Sequence, residues 1–398
     1  MSLSVVILAA GKGTRMFSEQ PKVLHKLADQ PMLQYVIDIA NELNPKNTNV
    51  IVGYKAKEVK HALSHEKVNW ILQEKQLGTG DAVKYAIPNL TGEQTLILYG
   101  DVPLVKINEL KKLIKIGEKG LSILTFNKIN PTGYGRIVRG RTGVEAIVEE
   151  KDCSDAQKEI TEVNTGIMVA DTKYLINWLS LISNINSQKE YYLTDIVALA
   201  KKDNIEINTI EADSEITISG VNSKIELAKM ERAIQLKKSN ALMEQGVTLL
   251  DPSRTDIRGH LDCGTDVVID VGCIFEGKVK IGKNVTIGAY SILKDSEILN
   301  DSIIKPYSHI DNAKVGKNNI IGPYARLRPG TVTNENVHIG NFVEIKNSKI
   351  DSGSKINHLS YVGDSIVGKN VNVGAGTITC NYDGVNKHQT IIEDNVFI

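Results

Sequence analysis

The amino-acid sequence predicts an α/β domain with a mostly parallel sheet, then one helix, then a β domain in which hexapeptide repeats form a parallel β-helix. Two observations carry this prediction. Over residues 1–222, short apolar segments alternate with amphipathic helical segments, which is typical of a parallel sheet covered by helices on both faces. From about residue 247, an aliphatic residue followed by glycine recurs, with several gaps of one hexad and one gap of three hexads. Such a period is the signature of a β-helix.

The first domain is predicted over residues 1–222. Ligands of such a sheet bind beyond the carboxyl ends of its parallel strands. The apolar segments predict strands at 4–10, 49–52, 69–72, 95–99, 121–126 and 166–170, with helices between them such as 32–43 and 58–63.

Residues 223–246 predict a helix between the two domains, and Gly246 is a suitable C-terminal cap. We interpret this segment as a linker helix, although a last helix of the first domain fits the same pattern. Four apolar residues at spacings of three, four and seven form one stripe on the helix: Leu227, Met230, Ile234 and Ala241.

The β-helix is predicted over residues 247–398, with about three hexads in each coil and coils stacked about 4.8 Å apart. A β-rich domain with coincidental spacing is the alternative. Residues 374–384 break the rhythm and should leave the coil as a loop. The repeating pairs are Ile281-Gly282, Ile287-Gly288, Val315-Gly316, Ile321-Gly322, Ile339-Gly340, Val367-Gly368 and Val373-Gly374.

The composition argues against several classes of protein. The 398 residues carry 47 basic and 47 acidic side chains, whereas a nucleic-acid-binding protein normally has a basic excess. Aromatic residues make up 5%, which is low for a surface that stacks bases. No apolar run approaches the roughly 18 residues of a membrane span, and no signal peptide precedes the first strand. The four cysteines lack C-x-x-C spacing. We therefore expect a cytoplasmic protein without a nucleic-acid partner.

The first predicted strand runs into a loop of glycines and cations. Gly11 and Gly13 let the backbone approach a phosphate closely, Arg15 and Lys22 bring two positive charges, and we expect a helix N-terminus directly after the loop. The loop lacks the third glycine of a dinucleotide fingerprint and the spacing of a Walker A loop. It predicts a phosphate site, although an ordinary turn between strand and helix has similar glycines.

Three further clusters follow predicted strands. Residues 73–80 supply glycines and the Gln73 amide, which can make paired hydrogen bonds with a nucleobase. Asp101 ends another strand, where its carboxylate is well placed for Mg²⁺, which combines one or two protein oxygens with phosphate oxygens. Glu149 and Asn164 are suited to sugar hydroxyls. Singly, Asp101 fits a helix cap equally well, and Glu149 fits a solvated edge.

Together these residues resemble the nucleotide-sugar pyrophosphorylases. With a left-handed β-helix attached, the chain resembles, over essentially its whole length, the bifunctional family of N-acetylglucosamine-1-phosphate uridyltransferases and glucosamine-1-phosphate acetyltransferases. The resemblance is carried by L-A-A-G-K-G-T-R-M at 8–16, Pro21-Lys22, Q-L-G-T-G at 76–80, Y-G-D at 99–101, G-Y-G-R at 133–136, Asn164-Thr165-Gly166, Y-L-T-D at 192–195 and Gly220-Val221-Asn222.

The resemblance implies a reaction for the first, Rossmann-like nucleotidyltransferase domain. A phosphate oxygen of N-acetylglucosamine 1-phosphate attacks the α-phosphorus of UTP, pyrophosphate leaves, and UDP-N-acetylglucosamine forms. Asp101 and Asn222 would hold Mg²⁺, and Arg15 and Lys22 would stabilise charge on the phosphates. At the uracil the resemblance implies Gln73, Gly78 and Thr79. At the sugar it implies Gly135, Glu149 and Asn164. The full set implied for UTP and sugar is Leu8, Ala9, Ala10, Gly11, Gln73, Gly78, Thr79, Tyr99, Gly100, Gly135, Glu149 and Asn164.

The β-helix carries unusually many polar residues. Arg328 and Lys346 are three hexads apart, which is one full coil, so they should stack on one face and can grip a phosphate monoester. His358 lies two hexads beyond Lys346. A neutral imidazole there can accept the proton of an amine that attacks a thioester, although a surface histidine on a coil is the alternative.

For this domain the resemblance implies acetyl transfer from acetyl-CoA to the 2-amino group of glucosamine 1-phosphate. His358 would be the general base, Glu344 would orient it, Ala375 would touch acetyl-CoA, and Cys380 would pack without reacting. The family forms homotrimers through its β-helices and shares each acetyl site between neighbouring subunits. The sugar-phosphate pocket is implied at Arg328, Lys346, Tyr361, Asn372, Asn381 and Tyr382.

Two other functions fit parts of the sequence. One is a single-activity sugar-1-phosphate nucleotidylyltransferase with a structural or regulatory β-helix. The other is a noncatalytic binding module, against which Lys22, Asp101 and Asn222 argue. The sequence ends at Ile398 in mid-hexad, whereas the family continues for several coils. We therefore expect a β-helix truncated at its C-terminus, which leaves the uridyl-transfer residues complete and puts acetyl transfer in question.

Overall fold

The computed structural model describes residues 2–118 and 120–398. They form two compact units, Met1–Met230 and Glu231–Ile398. This division falls inside the helix of the segment 223–246, so the predicted domain boundaries stay a prediction. Within the described residues, no helix has both the length and the apolar character that a membrane crossing requires.

The first unit is built on a mixed sheet. The strands of this unit are β1 Leu3–Ala9, β2 Lys26–Leu27, β3 Gln30–Pro31, β4 Asn47–Val52, β5 Asn69–Leu72, β6 Gln94–Tyr99, β7 Leu121–Asn127, β8 Arg136–Gly140, β9 Gly143–Val148, β10 Glu162–Asp171 and β11 Ile207–Glu211. In the described chain, the sheet runs in the order β11-β7-β10-β6-β1-β4-β5, with the hairpin β8–β9 paired to β10. Strands β2 and β3 form a separate ribbon.

The parallel part of the sheet confirms the prediction. Strands β6, β1, β4 and β5 are parallel neighbours, and all six predicted strands are present. Strand β10 runs antiparallel to β6 and β7, and the hairpin β8–β9 was not predicted. Charged residues interrupt the apolar pattern of this hairpin, and two of them, Arg139 and Glu145, are exposed.

Strand β1 shows why helices cover both faces of the sheet. Val5 and Ile7 pack into one apolar cluster and Val6 into another, and all three are fully buried. Successive side chains of a strand point to opposite faces, so a continuous apolar run requires cover on both. The helices are α1 Met32–Glu42, α2 Ala56–Ala62, α3 Thr79–Ala86, α4 Ile107–Ile116, α5 Asp155–Lys158, α6 Thr172–Leu181, α7 Ile196–Lys202, α8 Glu215–Ile218 and α9 Lys224–Glu244.

Helix α9 confirms the predicted helix, but only part of the predicted apolar stripe is buried. Met230 and Ile234 are buried, whereas Ala241 is exposed. A polar side chain takes part in the buried face instead: Gln235 Oε1 accepts the Ile257 N–H at 2.7 Å, and Gln235 Nε2 donates to the Ile257 carbonyl at 3.2 Å. Gln235 thereby supplies the hydrogen bonds that Ile257 would otherwise obtain from a preceding coil.

The second unit is a left-handed parallel β-helix. Successive coils pair in parallel about three hexads apart, as from Ile304 to Ile321 and from Ile321 to Ile339. The strands are β12 Thr248–Leu249, β13 Asp256–Cys263, β14 Val268–Ile269, β15 Ile274–Ile281, β16 Thr286–Ile287, β17 Ile292–Lys294, β18 Glu297–Ile298, β19 Ile303–Ile304, β20 His309–Asp311, β21 Lys314–Val315, β22 Ile320–Ile321, β23 Arg326–Leu327, β24 Val332–Thr333, β25 His338–Asn341, β26 Glu344–Lys346, β27 Lys349–Ile350, β28 Lys355–His358, β29 Tyr361–Gly363, β30 Ser365–Val367, β31 Asn372–Val373 and β32 Thr390–Ile392.

The core of the β-helix follows the repeat. All seven aliphatic residues that precede glycine in the predicted pairs are at most 2% exposed. Ile350 pairs with Val367, which is about one coil further along, but Val367 pairs next with Ile392, more than four hexads away. The chain therefore leaves the coil between Val367 and Ile392. Ile378 still pairs with Tyr361 one coil earlier, and the Thr379 N–H donates to the Tyr361 carbonyl, so only the later part of the predicted loop at 374–384 is confirmed.

Candidate active sites

A cavity of about 570 Å³ opens in the first unit. It lies beyond the carboxyl ends of β1 and β6, the edge predicted for a ligand. Its wall includes Arg15, Lys22, Asp101, Asn222 and every residue that the sequence assigned to UTP and sugar except Gly100. The N–H of Gly100 instead donates to the Leu8 carbonyl at 2.9 Å, which holds β6 against β1 at the cavity.

One cation and two side-chain oxygens meet inside this cavity. Lys22, in a 3₁₀ turn Lys22–Leu24, donates from Nζ to a carboxylate oxygen of Asp101 and, at 3.0 Å, to the amide oxygen of Asn222. Asp101 follows β6 and Asn222 precedes α9. Two oxygens that already converge on one ammonium fit the small oxygen-ligand set that Mg²⁺ takes from a protein. The residues predicted to hold a divalent ion therefore fit one.

The glycine loop differs from its prediction in one respect. The segment after it is a 3₁₀ turn, Thr14–Met16, bounded by left-handed residues Gly13 and Phe17, so no helix begins there. The prediction of a helix N-terminus after this loop was wrong, because the 3₁₀ turn ends after three residues. A side chain on Gly13 would meet Cβ of Lys22 at 2.6 Å, so the missing side chain lets Lys22 pass close by.

The residues predicted at the uracil are held by hydrogen bonds, one within the same loop and helix and one to a distant part of the chain. The Gln73 amide donates to Asp81 at 2.8 Å, and Thr79 Oγ1 accepts the Leu193 N–H at 3.1 Å. Gly78 is the N-cap residue of α3 with φ of 117°, and a Cβ there would lie 2.5 Å from the Tyr191 carbonyl oxygen. Glycine is therefore required at this position.

The residues predicted at the sugar gather around Glu149. Burial raises the pKa of Glu149 above its ordinary value of 4.5, although a hydrogen bond of 2.9 Å from the Thr194 hydroxyl opposes the shift. The Asn164 N–H donates to the Gly135 carbonyl at 2.8 Å, which joins two of the predicted residues. Burial, followed by the charges of Glu149 and Asp101, raises the pKa of Tyr99, so this phenol stays neutral.

Several wall residues were not predicted as ligand contacts. Thr132 and Tyr134 belong to the loop that ends in Gly135, and Glu190 precedes the recognised Y-L-T-D motif. Their positions next to recognised motifs are the signal that could have identified them. Glu226 also lines the cavity, and its carboxylate accepts the Asn222 N–H at 2.6 Å. It fixes the backbone of a predicted metal ligand.

The second unit brings most of the predicted acetyl-site residues onto one face of the β-helix. Leu327 pairs with Ile345, so the following residues Arg328 and Lys346 stack in register, as predicted. Arg328 donates to Glu344 at 2.8 Å, and Glu344 pairs with Tyr361 on the next coil. The Asn381 amide lies 3.3 Å from the Tyr361 hydroxyl. These cations and polar groups can bind a phosphate monoester.

His358 lies around a corner from that face. It ends β28 and pairs with Asn341, and its Nδ1 is 3.0 Å from the Asn341 amide oxygen. In the described chain, Glu344 pairs instead with Arg328 and Arg326. The expected orienting contact from Glu344 is therefore not made in this structure, because the nearby guanidinium groups take its carboxylate, and Asn341 occupies that position.

The remaining predicted residues lie near the end of the described β-helix. Asn372 begins β31, on the same face as His358, and Ala375 is exposed three residues later. Tyr382 is exposed, and its hydroxyl donates to the Gly384 carbonyl at 2.6 Å. Cys380 is exposed, so its expected packing role was wrong: it lies where the loop leaves the apolar core.

Two protein-family models match the chain, one within each unit. Residues 5–138 match the MobA-like NTP transferase domain family, and residues 257–340 match the GMPPB C-terminal domain family. A crystal structure of UDP-glucose pyrophosphorylase complexed with UDP-glucose aligns with a TM-score of 0.50 at 16% identity, covering 60% of this chain and all of that one. That likeness shows the fold alone.

Curated relatives match along the whole sequence. The chain is 54% identical over 400 residues to the bifunctional protein GlmU of Nitrosospira multiformis and 55% identical over 398 residues to that of Janthinobacterium sp. (strain Marseille). Both alignments cover 100% of this chain, with 87% and 88% of the relatives' lengths. The chain therefore belongs to the GlmU family of bifunctional enzymes, which combine a uridyltransferase with an acetyltransferase.

Proposed function

We propose that the chain makes UDP-N-acetylglucosamine in two steps: it acetylates glucosamine 1-phosphate with acetyl-CoA, and then transfers uridylate from UTP to N-acetylglucosamine 1-phosphate. The observation that carries the second step is the convergence of Lys22, Asp101 and Asn222 in one cavity with the predicted uracil and sugar residues. Arg328 stacked on Lys346 beside Glu344 and Tyr361 supports the first step.

In uridyl transfer, the protein mainly positions two anions and balances their charge. Gly135, Glu149 and Asn164 bind the sugar so that its phosphate oxygen faces the α-phosphorus, and pyrophosphate is displaced. Lys22 and Arg15 compensate the negative charge on the phosphates. Asp101 and Asn222 would hold Mg²⁺, which supplies further charge neutralisation when bound.

In acetyl transfer, Arg328 and Lys346 bind the phosphate of glucosamine 1-phosphate. The 2-amino nitrogen attacks the thioester carbonyl of acetyl-CoA, a C–N bond forms, and the C–S bond breaks to release coenzyme A. His358 accepts the proton that the amine loses. The Asn341 amide oxygen near Nδ1 favours the tautomer whose Nε2 is free to accept that proton.

The homotrimer implied by the resemblance is also proposed, and an exposed aromatic ladder on the β-helix supports it. Tyr290, Tyr307, Tyr324 and Phe342 stack on successive coils, with ring centroids 5.0–5.4 Å apart. Each is 45–55% exposed. Exposed aromatic rows of this kind favour a partner surface.

The test of the proposed function uses the purified protein and two assays. With UTP, N-acetylglucosamine 1-phosphate and Mg²⁺ we expect pyrophosphate release that a chelator abolishes; with acetyl-CoA and glucosamine 1-phosphate we expect release of a free thiol. Pyrophosphate release without thiol release would favour the single-activity alternative if a chain that covers the full length of the curated relatives also releases no thiol. Neither product would favour a noncatalytic binding module.

Glu149→Gln is expected to lower kcat/KM of uridyl transfer about 10-fold, because a neutral amide is a weaker acceptor for a sugar hydroxyl than a carboxylate. The same change should raise the free energy of unfolding at pH 7. Since burial raises the folded-state pKa of Glu149, the folded protein binds its proton more tightly, and ionisation destabilises the fold as pH rises from 4.5 through that pKa.

Denaturant unfolding of parent and Glu149→Gln proteins across pH measures this effect. The stability advantage of the variant should be full at neutral pH and fade as the pH falls from the raised pKa of Glu149 towards 4.5, below which this position is neutral in both chains. An advantage that is the same at all pH values would show that ionisation of Glu149 is not its cause.

A further inference from the structure

We propose that Arg136, which does not line the uridyl-transfer cavity, is the positioning residue for its sugar end; this inference rests on the proposed function. Arg136 is the first residue of β8, and its side chain is 2% exposed. A guanidinium buried to this degree requires compensating partners, since its charge cannot be removed by deprotonation.

The partners of Arg136 come from three segments around the cavity. Its Nη1 donates to the Tyr134 carbonyl and lies 2.7 Å from a carboxylate oxygen of Glu150. Its Nη2 lies 3.4 Å from the Lys158 carbonyl, and its Nε has no hydrogen-bond partner among the described residues. The guanidinium therefore joins the loop before β8 to the turn after β9 and to the end of α5.

The backbone of Arg136 completes the arrangement. Arg136 pairs with Val148 on β9 and with Val163 on β10. Glu149 follows Val148 directly after the end of β9, Asn164 follows Val163 on β10, and Gly135 precedes Arg136. Each of the three predicted sugar residues is therefore next in sequence either to Arg136 itself or to a residue that pairs with Arg136. A hydrogen bond of 2.8 Å from the Asn164 N–H to the Gly135 carbonyl links two of these sugar residues directly.

The uracil end of the cavity is held by other contacts. Gln73 bonds to Asp81, and Thr79 bonds to Leu193. Among the described residues, the hydrogen bonds and the ion pair of the Arg136 side chain go to Tyr134, Lys158 and Glu150 instead. Loss of the guanidinium should therefore displace the sugar residues and leave the nucleotide residues in place. A shift of about 1 Å in a binding group can lower a rate by about 100-fold.

The experiment compares Arg136→Gln and Arg136→Lys with a matched control, Arg139→Gln, in the full chain. Arg139 lies on the same strand, and its guanidinium makes two bonds of 2.6 Å to Glu162 at the surface. In Arg136→Gln we expect KM for N-acetylglucosamine 1-phosphate to rise about 10-fold or more, with KM for UTP within about 2-fold of the parent. Arg136→Lys should recover part of the loss, and Arg139→Gln should change neither constant.

A second variant keeps the test decisive if Arg136→Gln does not fold. Glu150→Gln removes only the ionic partner and should also raise KM for the sugar phosphate selectively. Folded variants in which both KM values are unchanged, or rise equally, would overturn the positioning role. Absence of pyrophosphate release in the parent chain would instead overturn the proposed function, and this inference with it.

Discussion

Lys22→Ala is expected to lower the rate of pyrophosphate release at least about 100-fold, which corresponds to about 2.7 kcal/mol of transition-state stabilisation. Lys22 is the cation that contacts both Asp101 and Asn222, and its side chain is only 14% exposed. Its removal leaves the Asp101 carboxylate without this partner and takes one positive charge from the phosphates. Steady-state pyrophosphate release with saturating UTP and Mg²⁺ measures the loss.

Lys26→Ala is the matched control for this prediction. Lys26 lies four residues away on β2, where its exposed side chain pairs with Asp29 at 2.8 Å. An exposed pair of this kind contributes little to stability or to charge in the cavity, so its loss should leave turnover within about 2-fold of the parent. Near-parental turnover of Lys22→Ala would remove Lys22 from the reaction.

His358→Ala is expected to reduce acetyl transfer by about 100- to 10,000-fold, the usual contribution of a general base. Without the imidazole, the attacking amine must lose its proton to water. Uridyl transfer should stay unchanged, because its residues belong to the first unit, which folds around its own apolar clusters. Thiol release from acetyl-CoA and pyrophosphate release from UTP, measured on one protein preparation, separate the two effects.

His260→Ala controls for the loss of any histidine from the β-helix. His260 is exposed on β13, far along the solenoid from β28. This variant should keep acetyl transfer at the parental rate. Retention of acetyl transfer in His358→Ala would refute the base assignment and direct attention to another proton acceptor.

The sequence was sufficient for the elements whose signal is local. A strand with a continuous apolar run, such as residues 5–9 of β1, must be covered on both faces, and an aliphatic residue at each hexad must point into a solenoid. The motif residues of the first domain were identified from the family resemblance, and some of them, such as Gly11 and Asp101, lie just after a strand. The hairpin β8–β9, whose apolar pattern is interrupted by charged residues, lacks such a signal and was missed.

Long-range partners required the tertiary structure. Lys22 meets Asp101 and Asn222 across 79 and 200 residues of sequence. The partner of His358 is Asn341 and not Glu344, because Arg328 and Arg326 hold the Glu344 carboxylate. Which face of α9 is buried also depended on packing, since Gln235 satisfies the backbone of Ile257.

For this protein, the sequence by itself determined the two architectures and the chemical character of both sites. The period of buried side chains and the glycines at strand ends are local properties of the chain. Only the tertiary structure decided which charged and polar groups contact one another, for example Arg136 with the Glu150 carboxylate and the Tyr134 carbonyl. The physical reason is that an ion pair or hydrogen bond depends on distance in space, which the folded backbone sets.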